Sequence, residues 1–175
     1  MKRLNSLFVL FFLGLFFLSC SSVRVSTDYD TQVDFGALKT FAFYKTGVDK
    51  AAISDLDKKR IMRAIEAELL AKGMTKSATP DVLVNIFTKS RERVDVNDNS
   101  FGGYWYPWYY GPSQVTVSTQ TEGTLFIDLL DTNGKNLLWQ GIGTGVLQMR
   151  SMEKKEERIK EFVHEIMEQY PPQTK

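Results

Sequence analysis

The length, composition and charge of the chain limit both its architecture and its chemistry. A chain of 175 residues has room for one compact domain and not comfortably for two. Its single cysteine and single histidine exclude a structural zinc site and an internal disulfide, so a hydrophobic core must carry the fold. With 22 basic and 21 acidic residues of interspersed sign, the chain offers no electrostatic basis for binding nucleic acid. We therefore expect no metal, no cofactor and no nucleic-acid partner.

The start of the chain has the pattern of an export signal. Lys2 and Arg3 are basic, and residues 7–18 are apolar apart from Gly14. This run is shorter than the about 20 residues that cross a bilayer, and it fits the apolar region of a secretory signal, which is roughly 7–15 residues long. A buried amphipathic helix is the alternative, but the run has no polar face. The sequence therefore predicts a signal peptide over residues 1–19.

Cys20 ends this region within the run LSCSS of residues 18–22, which resembles the lipobox of bacterial lipoproteins. By that resemblance Cys20 becomes the first residue after cleavage and is modified on sulfur with a diacylglycerol, a palmitate-type lipid anchor. Two or more acyl chains hold a protein stably at a membrane, since each buried methylene contributes about 0.8 kcal/mol. A free or buried thiol is the alternative for a lone exported cysteine.

The lipobox also predicts how the rest of the chain is organised. Residues 20–24 become the lipidated cysteine and a short tether, and residues 25–175 become a single domain close to the bilayer. No acidic residue follows Cys20 at positions 21–22, which by analogy favours the outer membrane. We expect a cell-envelope protein whose domain faces the periplasm.

Two strands and a helix are predicted before residue 80. Residues 23–26 alternate apolar and polar side chains, and residues 40–44 are rich in strong β formers. Ser54 with Asp57 indicates the start of a helix that runs to about Lys72, followed by Gly73 as the left-handed terminating residue. Apolar residues four positions apart give this helix one buried face: Ile61, Ile65 and Leu69.

A long antiparallel hairpin is predicted next. Residues 82–87 are apolar at nearly every position, which predicts a strand covered on both faces. Alternation in the same phase continues to residue 97, and residues 115–129 alternate in the same way. We expect two long strands joined at residues 98–113.

The last predicted elements are a strand and a helix. Asn133-Gly134 indicates a hairpin turn into a strand over residues 137–148. One face of that strand carries glycines: Gly141, Gly143 and Gly145. Their spacing does not fit a dinucleotide-binding loop and favours a bulge or the close approach of a helix. A second amphipathic helix starts near Glu153. The element order ββ-α-βββ-α predicts an α+β two-layer sandwich, with a mainly antiparallel sheet of about five strands, two helices on one face and one long protruding hairpin.

Several short segments resemble a known family in the same order along the chain. They are Asp28-Tyr29-Asp30, Pro80-Asp81-Val82-Leu83-Val84, Gly123-Thr124-Leu125 and Leu138-Trp139 with the glycines that follow. In this order they resemble a Bacteroidetes-type bacterial lipoprotein family known as domain of unknown function 4136. The resemblance implies an exported, lipid-anchored α+β domain. It implies no catalytic residues.

The segment 101–110 is the best candidate contact surface in the sequence. It is dominated by aromatic side chains, and its Gly and Pro residues oppose regular structure. Such side chains favour protein interfaces, bilayer headgroups and the faces of sugar rings, whereas a loop that packs on itself is the alternative reading. The candidate contact residues are Phe101, Tyr104, Trp105, Tyr106, Trp108, Tyr109 and Tyr110.

The polar candidates for chemistry are weaker. His164 is predicted to lie on the solvated side of its helix, without a nucleophile beside it. Asp128 and Asp131 could form a carboxylate pair, but Asp131 belongs to a predicted turn. Across the long hairpin Glu122 is expected to pair with nearby arginines as exposed ion pairs, each worth under about 1 kcal/mol. These ion-pair candidates are Arg91, Arg93 and Glu122.

These observations favour a non-catalytic binding or structural role. We expect membrane association through the lipid anchor and an envelope protein or glycan as partner of the aromatic loop. The alternative is an envelope hydrolase whose site is built from scattered acidic residues, which would show Asp or Glu side chains converging in a pocket. A third possibility is an assembly protein that pairs strands through the long hairpin.

Overall fold

The structure is a computed structural model that describes residues 23–51, 53–98, 115–133, 136–146 and 151–172. For residues 92–98 and 115–121 it describes the backbone alone. The predicted signal peptide, Cys20 and the aromatic segment 101–110 lie outside these ranges.

The described residues form a mixed α+β fold with one open sheet of six strands and three helices. In chain order the elements are β1 (Arg24–Tyr29), β2 (Thr40–Phe43), α1 (Lys45–Asp49), α2 (Asp55–Ala71), β3 (Thr75–Lys76), β4 (Val82–Asp98), β5 (Val115–Leu130), β6 (Leu137–Val146) and α3 (Met152–Met167).

The sheet is mixed because of one crossover connection. Its strand order is β1-β6-β5-β4-β2-β3. Strands β4, β5, β6 and β1 pair antiparallel, whereas β2 pairs parallel with both β3 and β4. Parallel neighbours need a long connection, and here the chain between β2 and β4 supplies it with α1, α2 and β3.

The prediction of about five strands and two helices was wrong because it missed two short elements, strand β3 and helix α1. Strand β3 has only two residues, both exposed, so it carries no hydrophobic period. Helix α1 has five residues, includes Gly47 and lacks a side-chain cap, so no helix signal was available. The described order is ββ-αα-ββββ-α rather than ββ-α-βββ-α.

The predicted helix ends of α2 are confirmed. The Ser54 hydroxyl accepts a hydrogen bond of 3.2 Å from the Asp57 backbone N–H, as a capping serine does. Gly73 follows the helix with φ of 84°, the left-handed conformation that glycine adopts without a Cβ clash. At α3, Ser151 accepts from Lys154 N in the same way.

The core lies against one face of the sheet. Val84, Ile127 and Trp139 on the central strands are fully buried, together with Ile65 of α2 and Ile166 of α3. The other face is open, since its described residues on these strands are at least partly exposed, apart from Glu122. The expectation that residues 82–87 are covered on both sides was therefore wrong. The buried residues of this stretch alternate, and its last residue, on the open face, is 42% exposed.

The described strands β4 and β5 form a long antiparallel pair that extends past the described part of β6. Strands β4 and β5 pair from Leu83–Leu130 to Asp98–Val115, but the described pairing of β5 with β6 stops at Glu122. Residues 115–121 therefore extend beyond the described sheet by about 24 Å, at about 3.4 Å per residue. Strands β1 and β5 run in the same direction, so this hairpin projects from the end of the sheet where β1 begins.

No helix in the described part of the chain is long and apolar enough to span a bilayer.

Candidate functional site

A cavity of about 330 Å³ lies between the core face of β4 and β5 and the helices α2 and α3. This volume is at the lower end of the roughly 300–1,000 Å³ typical of small-molecule sites. Its walls are mostly apolar, and the apolar side chains are Ile53, Ile61, Leu125, Ile159 and Phe162. The sequence patterns predicted most of these as core residues but did not indicate that the packing between them leaves a cavity.

The floor of the cavity carries an unsatisfied hydroxyl. Thr88 follows Val84 and Ile86 in the same alternation, so its side chain points to the core side of β4. Its Oγ1 is buried and has no hydrogen-bond partner among the described residues. A buried polar atom without a partner costs about 1–3 kcal/mol, so this hydroxyl lowers the stability of the domain.

The acid of the cavity is held in an ion-pair cluster. An oxygen of Asp57 lies 2.6 Å from Nζ of Lys155, and the other lies 2.7 Å from the guanidinium of Arg60. Burial raises the pKa of Asp57, but the hydrogen bonds from Lys155, Ser54 and Arg60 outweigh burial and hold the pKa below its usual value. A carboxylate that stays ionised and paired in this way is a poor general acid or base near neutral pH.

Arg158 places a fixed positive charge in the cavity wall. Its residue is only 9% exposed, and its guanidinium carbon lies 4.6 Å from the centre of the Phe162 ring. The guanidinium donates to the Val146 carbonyl at 3.3 Å and pairs with Glu161 at 2.7 Å. The side chain of Arg158 is therefore positioned from several sides and polarises one end of an otherwise apolar cavity.

Little of the cavity wall is polar, and its acidic group is already paired. Among the described residues the cavity walls contain one acidic side chain, Asp57. Its carboxylate already forms ion pairs with Arg60 and Lys155. The described residues also contain no group of three or more metal-binding side chains. An apolar interior with a cationic end suits a ligand that is mostly apolar and carries an acceptor or a negative charge.

His164 lies on the surface, as predicted, but bridges the two long helices. Its side chain is 55% exposed, and Nδ1 lies 2.9 Å from a carboxylate oxygen of Glu68 on α2. Nε2 lies 3.4 Å from Glu168, one turn further along its own helix. The hydrogen bond with Glu68 raises the pKa of His164 above 6.5, against the opposing effect of desolvation. This contact joins residues 68 and 164, so no local sequence pattern could have indicated it.

Asp128 and Asp131 do not form a carboxylate pair. Asp128 accepts hydrogen bonds from Asn85 at 3.3 Å and from Gln140 at 2.7 Å, both on neighbouring strands. Asp131 accepts from the side-chain amide of Asn136 at 2.6 Å across the hairpin turn. The assignment of Asp131 to a turn is confirmed.

Glu122 forms a buried ion-pair cluster with two arginines rather than an exposed ion pair. Its pairing with Arg91 is confirmed, with 2.7 Å between Nε and a carboxylate oxygen. However, the side chain of Glu122 is only 5% exposed, and it also pairs with Arg24 of the edge strand β1. The expectation of an exposed, weak ion pair was wrong for Glu122, because Arg24 reaches across β6 and covers the carboxylate. The side chain of Arg93 lies outside the described residues.

Two of the strand glycines mark the close approach of a helix, one of the two explanations that the sequence allowed. A Cβ on Gly141 would lie 2.3 Å from a methyl carbon of Ile166, and a Cβ on Gly143 would lie 2.7 Å from another. The two glycines thus let α3 pack directly on β6.

Solved structures share the fold at low sequence identity. A PDZ domain protein from Parabacteroides distasonis superposes with a TM-score of 0.53 at 20% identity, covering 91% of this chain and 39% of that one. The PelC dodecamer of Paraburkholderia phytofirmans gives 0.45 at 12% identity, covering 83% and 94%. A neuraminyllactose-binding hemagglutinin homolog from Helicobacter pylori gives 0.41 at 12% identity, covering 78% and 81%. The first likeness supports the fold alone, and the other two carry no argument.

No curated protein sequence matches the chain. The expected resemblance to a family of unknown function is nevertheless confirmed over almost the whole described fold. The chain belongs to the family described as Domain of unknown function (DUF4136), which matches residues 25–172.

Proposed function

We propose that this chain is a lipid-anchored protein of the cell envelope, at the outer membrane, whose periplasm-facing domain has a non-catalytic binding role. The lipobox at Cys20 supports the anchor. The described chain enters β1 at Arg24, so the proposed tether is only a few residues long. In this proposal the domain is a two-layer sandwich. The helices cover one face of the sheet, and the other face remains available for contacts.

The observation that supports the binding role is the apolar lining of the cavity between the sheet and helices α2 and α3. Its interior is apolar, and Asp57 and Arg158 at its edge are already fixed by ion pairs. Such a site can hold a ligand without offering it a free acid or base. The hydrolase alternative needs converging acids, and the described walls of the cavity support it less well.

The aromatic segment 101–110 is the proposed contact surface for an envelope protein or a glycan. Its support is the direction of the hairpin: the described strands that lead to the segment end at Asp98 and Val115, beyond the rest of the sheet. The described hairpin strands project from the end of the sheet where β1 begins, which supports a contact of the segment near the membrane if Cys20 carries the anchor.

The anchor is tested by metabolic labelling with a clickable palmitate analogue. We expect the full chain to incorporate the label and to sediment with membranes, and Cys20→Ala to lose both properties. Label on the Cys20→Ala chain, or none on the natural sequence, would refute the anchor.

The binding role is tested with a carboxylated apolar fluorophore titrated into the lipidated full chain in detergent. We expect saturable binding that Ile61→Trp removes by filling the cavity, while Leu70→Trp on the exposed side of the same helix retains it. Equal binding by both variants would place the fluorophore elsewhere and contradict the role of the cavity.

The aromatic contact surface is tested by replacing residues 102–111 with a Gly-Ser segment of equal length. We expect capture of envelope partners to be lost while the melting temperature is unchanged. A large fall in melting temperature with capture intact would assign the segment to packing.

A further inference from the structure

The sheet face opposite the helices is patterned in rows that run across four strands. Register places Lys89, Thr124, Thr144 and Arg24 in the row nearest the start of β1. The next row contains Phe87, Phe126, Ile142 and Ser26, and the third contains Asn85, Asp128, Gln140 and Asp28. This open face therefore changes from basic to apolar to acidic with distance from the proposed anchor.

The apolar row is an exposed aromatic surface. The rings of Phe87 and Phe126 pack with centroids 5.6 Å apart, and Phe87 is 42% exposed. The Lys89 ammonium lies over both rings, at 5.6 Å and 5.5 Å from their centres. Val146, two rows closer to the start of β1 on the same face, is 39% exposed. Aromatic rings beside a lysine are a combination found where proteins meet the headgroup region of a bilayer.

The basic end of this face carries a net positive charge at its surface. The side chains of Arg24 and Arg91 are 65% and 70% exposed, whereas the Glu122 carboxylate between them is 5% exposed. With Lys89, three cations stand over one buried anion, a local charge of 3 − 1 = +2. The far row contains two acids. Asp128 accepts hydrogen bonds from Asn85 and Gln140, and Asp28, on the edge strand, accepts one from the Tyr29 backbone N–H at 2.9 Å.

The anchor and the hairpin restrict how the domain can sit on a membrane. This step depends on the lipidation of Cys20 proposed above. From Cys20 to Val23 the chain spans at most about 11 Å. The hairpin extends about 24 Å beyond the described sheet at the same end, so an upright sheet would place charged residues of its strands, such as Glu92, Arg93 and Asp95, inside the bilayer at a high energetic cost. A sheet that lies along the bilayer avoids this, and one of its faces is then turned toward the lipid.

We propose that the open face lies on the bilayer and binds anionic lipid headgroups. Arg24, Lys89 and Arg91 contact the headgroup phosphates, and Phe87 and Phe126 enter the interfacial layer. The helices and the cavity then face away from the membrane, where they are accessible to ligand. The anchor holds the domain at the surface, and the open face sets its orientation.

The orientation is tested by fluorescence quenching in the lipidated full chain. Because Cys20 is the only cysteine and is consumed by the lipid, Phe87→Cys introduces a single free thiol for an environment-sensitive label. The control is Leu70→Cys. Leu70 is 49% exposed and lies on α2, in the helix layer on the opposite side of the sheet from Phe87. In vesicles of phosphatidylcholine and phosphatidylglycerol, we expect brominated lipid to quench the label at position 87 and to leave the label at position 70 unchanged.

A charge variant tests whether the open face binds anionic headgroups or is merely held near the membrane by the anchor. Lys89→Glu should abolish quenching at position 87 in the anionic vesicles, while Lys72→Glu at the end of α2 should not. Both lysines are exposed, and far-UV circular dichroism checks that both variants are folded. Equal quenching at positions 87 and 70, or none at 87, would overturn the proposal. So would protection of position 87 that rises with protein concentration in detergent without lipid, because a second copy of the chain would then cover the face.

Failure of the anchor gives a different result from failure of the docked face. An unmodified Cys20 would itself react with the label, so intact-mass analysis would show two labels and no acyl chains, which would overturn the proposal through its premise. An acylated, singly labelled protein whose position 87 is not quenched refutes the docked face and leaves the anchor intact.

Discussion

The contact between β6 and α3 gives the sharpest test of the packing. Gly143→Ala adds a methyl group whose carbon would lie 2.7 Å and 2.8 Å from side-chain carbons of Ile166. Ordinary carbon contacts are about 3.5–4.0 Å, so something must move by most of an ångström. Ile166 is fully buried and cannot turn its side chain out to solvent.

The expected cost follows from two opposing effects. Overpacking of a core costs about 1–3 kcal/mol, whereas replacing glycine by alanine restricts the unfolded chain and returns about 0.4–1 kcal/mol. Gly143 is not among the described residues with positive φ, so alanine fits the backbone there. We expect a net loss of about 1.5 kcal/mol in the free energy of unfolding. For a domain of this size the melting temperature falls by about 3–6 °C, measured by circular dichroism.

A double-mutant cycle separates this clash from other effects. Ile166→Ala alone should cost about 2–5 kcal/mol because it leaves a cavity. In that background Gly143→Ala should be neutral or slightly stabilising, because the clashing atoms are gone. The same cycle with Gly141→Ala should recover only part of the loss, since a Cβ there also meets the buried Trp139 ring at 2.4 Å. An additive cycle for Gly143, or a melting temperature that Gly143→Ala leaves unchanged, would refute the packing described here.

The remaining predictions concern the polar contacts. Replacing Arg24 and Arg91 together by alanine should lower the urea midpoint by the equivalent of about 1–3 kcal/mol, because Glu122 loses two cationic partners while the removal of their covering side chains opens its carboxylate to water; a loss as small as that of one exposed pair would contradict the strength of this contact. The raised pKa of His164 means that its stabilising contribution is fully present below pH 6.5 and is lost as pH rises through the folded-state pKa. Urea midpoints measured across this window should therefore fall with pH, and His164→Gln should flatten the change; an unchanged slope in the variant would exclude this contact as its source. Thr88→Val should raise the free energy of unfolding in urea by about 1 kcal/mol, because it removes a buried hydroxyl without a partner, whereas a loss of stability would show that the hydroxyl is satisfied.

The sequence predicted the elements whose signals are local. Ser54 and Gly73 at the ends of α2 act through bonds and dihedral angles within one or two turns, and both behave as predicted. The strands β4 and β5 were predicted because their alternation of apolar and polar residues continues over many positions. Short elements gave no such signal, and β3 and α1 exist only because neighbouring elements hold them.

The site depended on contacts that no local pattern records. Residues 57 and 155 are 98 positions apart, as are residues 24 and 122, yet both pairs form ion contacts. Charged residues at such positions look like ordinary surface residues in the sequence. Only their burial shows that Glu122 lies under two guanidiniums and that Asp57 is occupied at the mouth of a cavity.

The sequence by itself determined the α+β class, the family and the boundaries of the long elements. It also placed glycines on one face of β6, where α3 packs closely. It further supplied the resemblance to a lipobox on which the proposed anchor depends. Tertiary structure alone decided the parallel crossover of β2, the cavity with its unsatisfied Thr88 hydroxyl, and the open sheet face with its basic, apolar and acidic rows. The physical reason is range: caps, turns and periodicity depend on neighbours along the chain, whereas cavities, buried charges and surface patterns depend on which distant segments the sheet brings side by side.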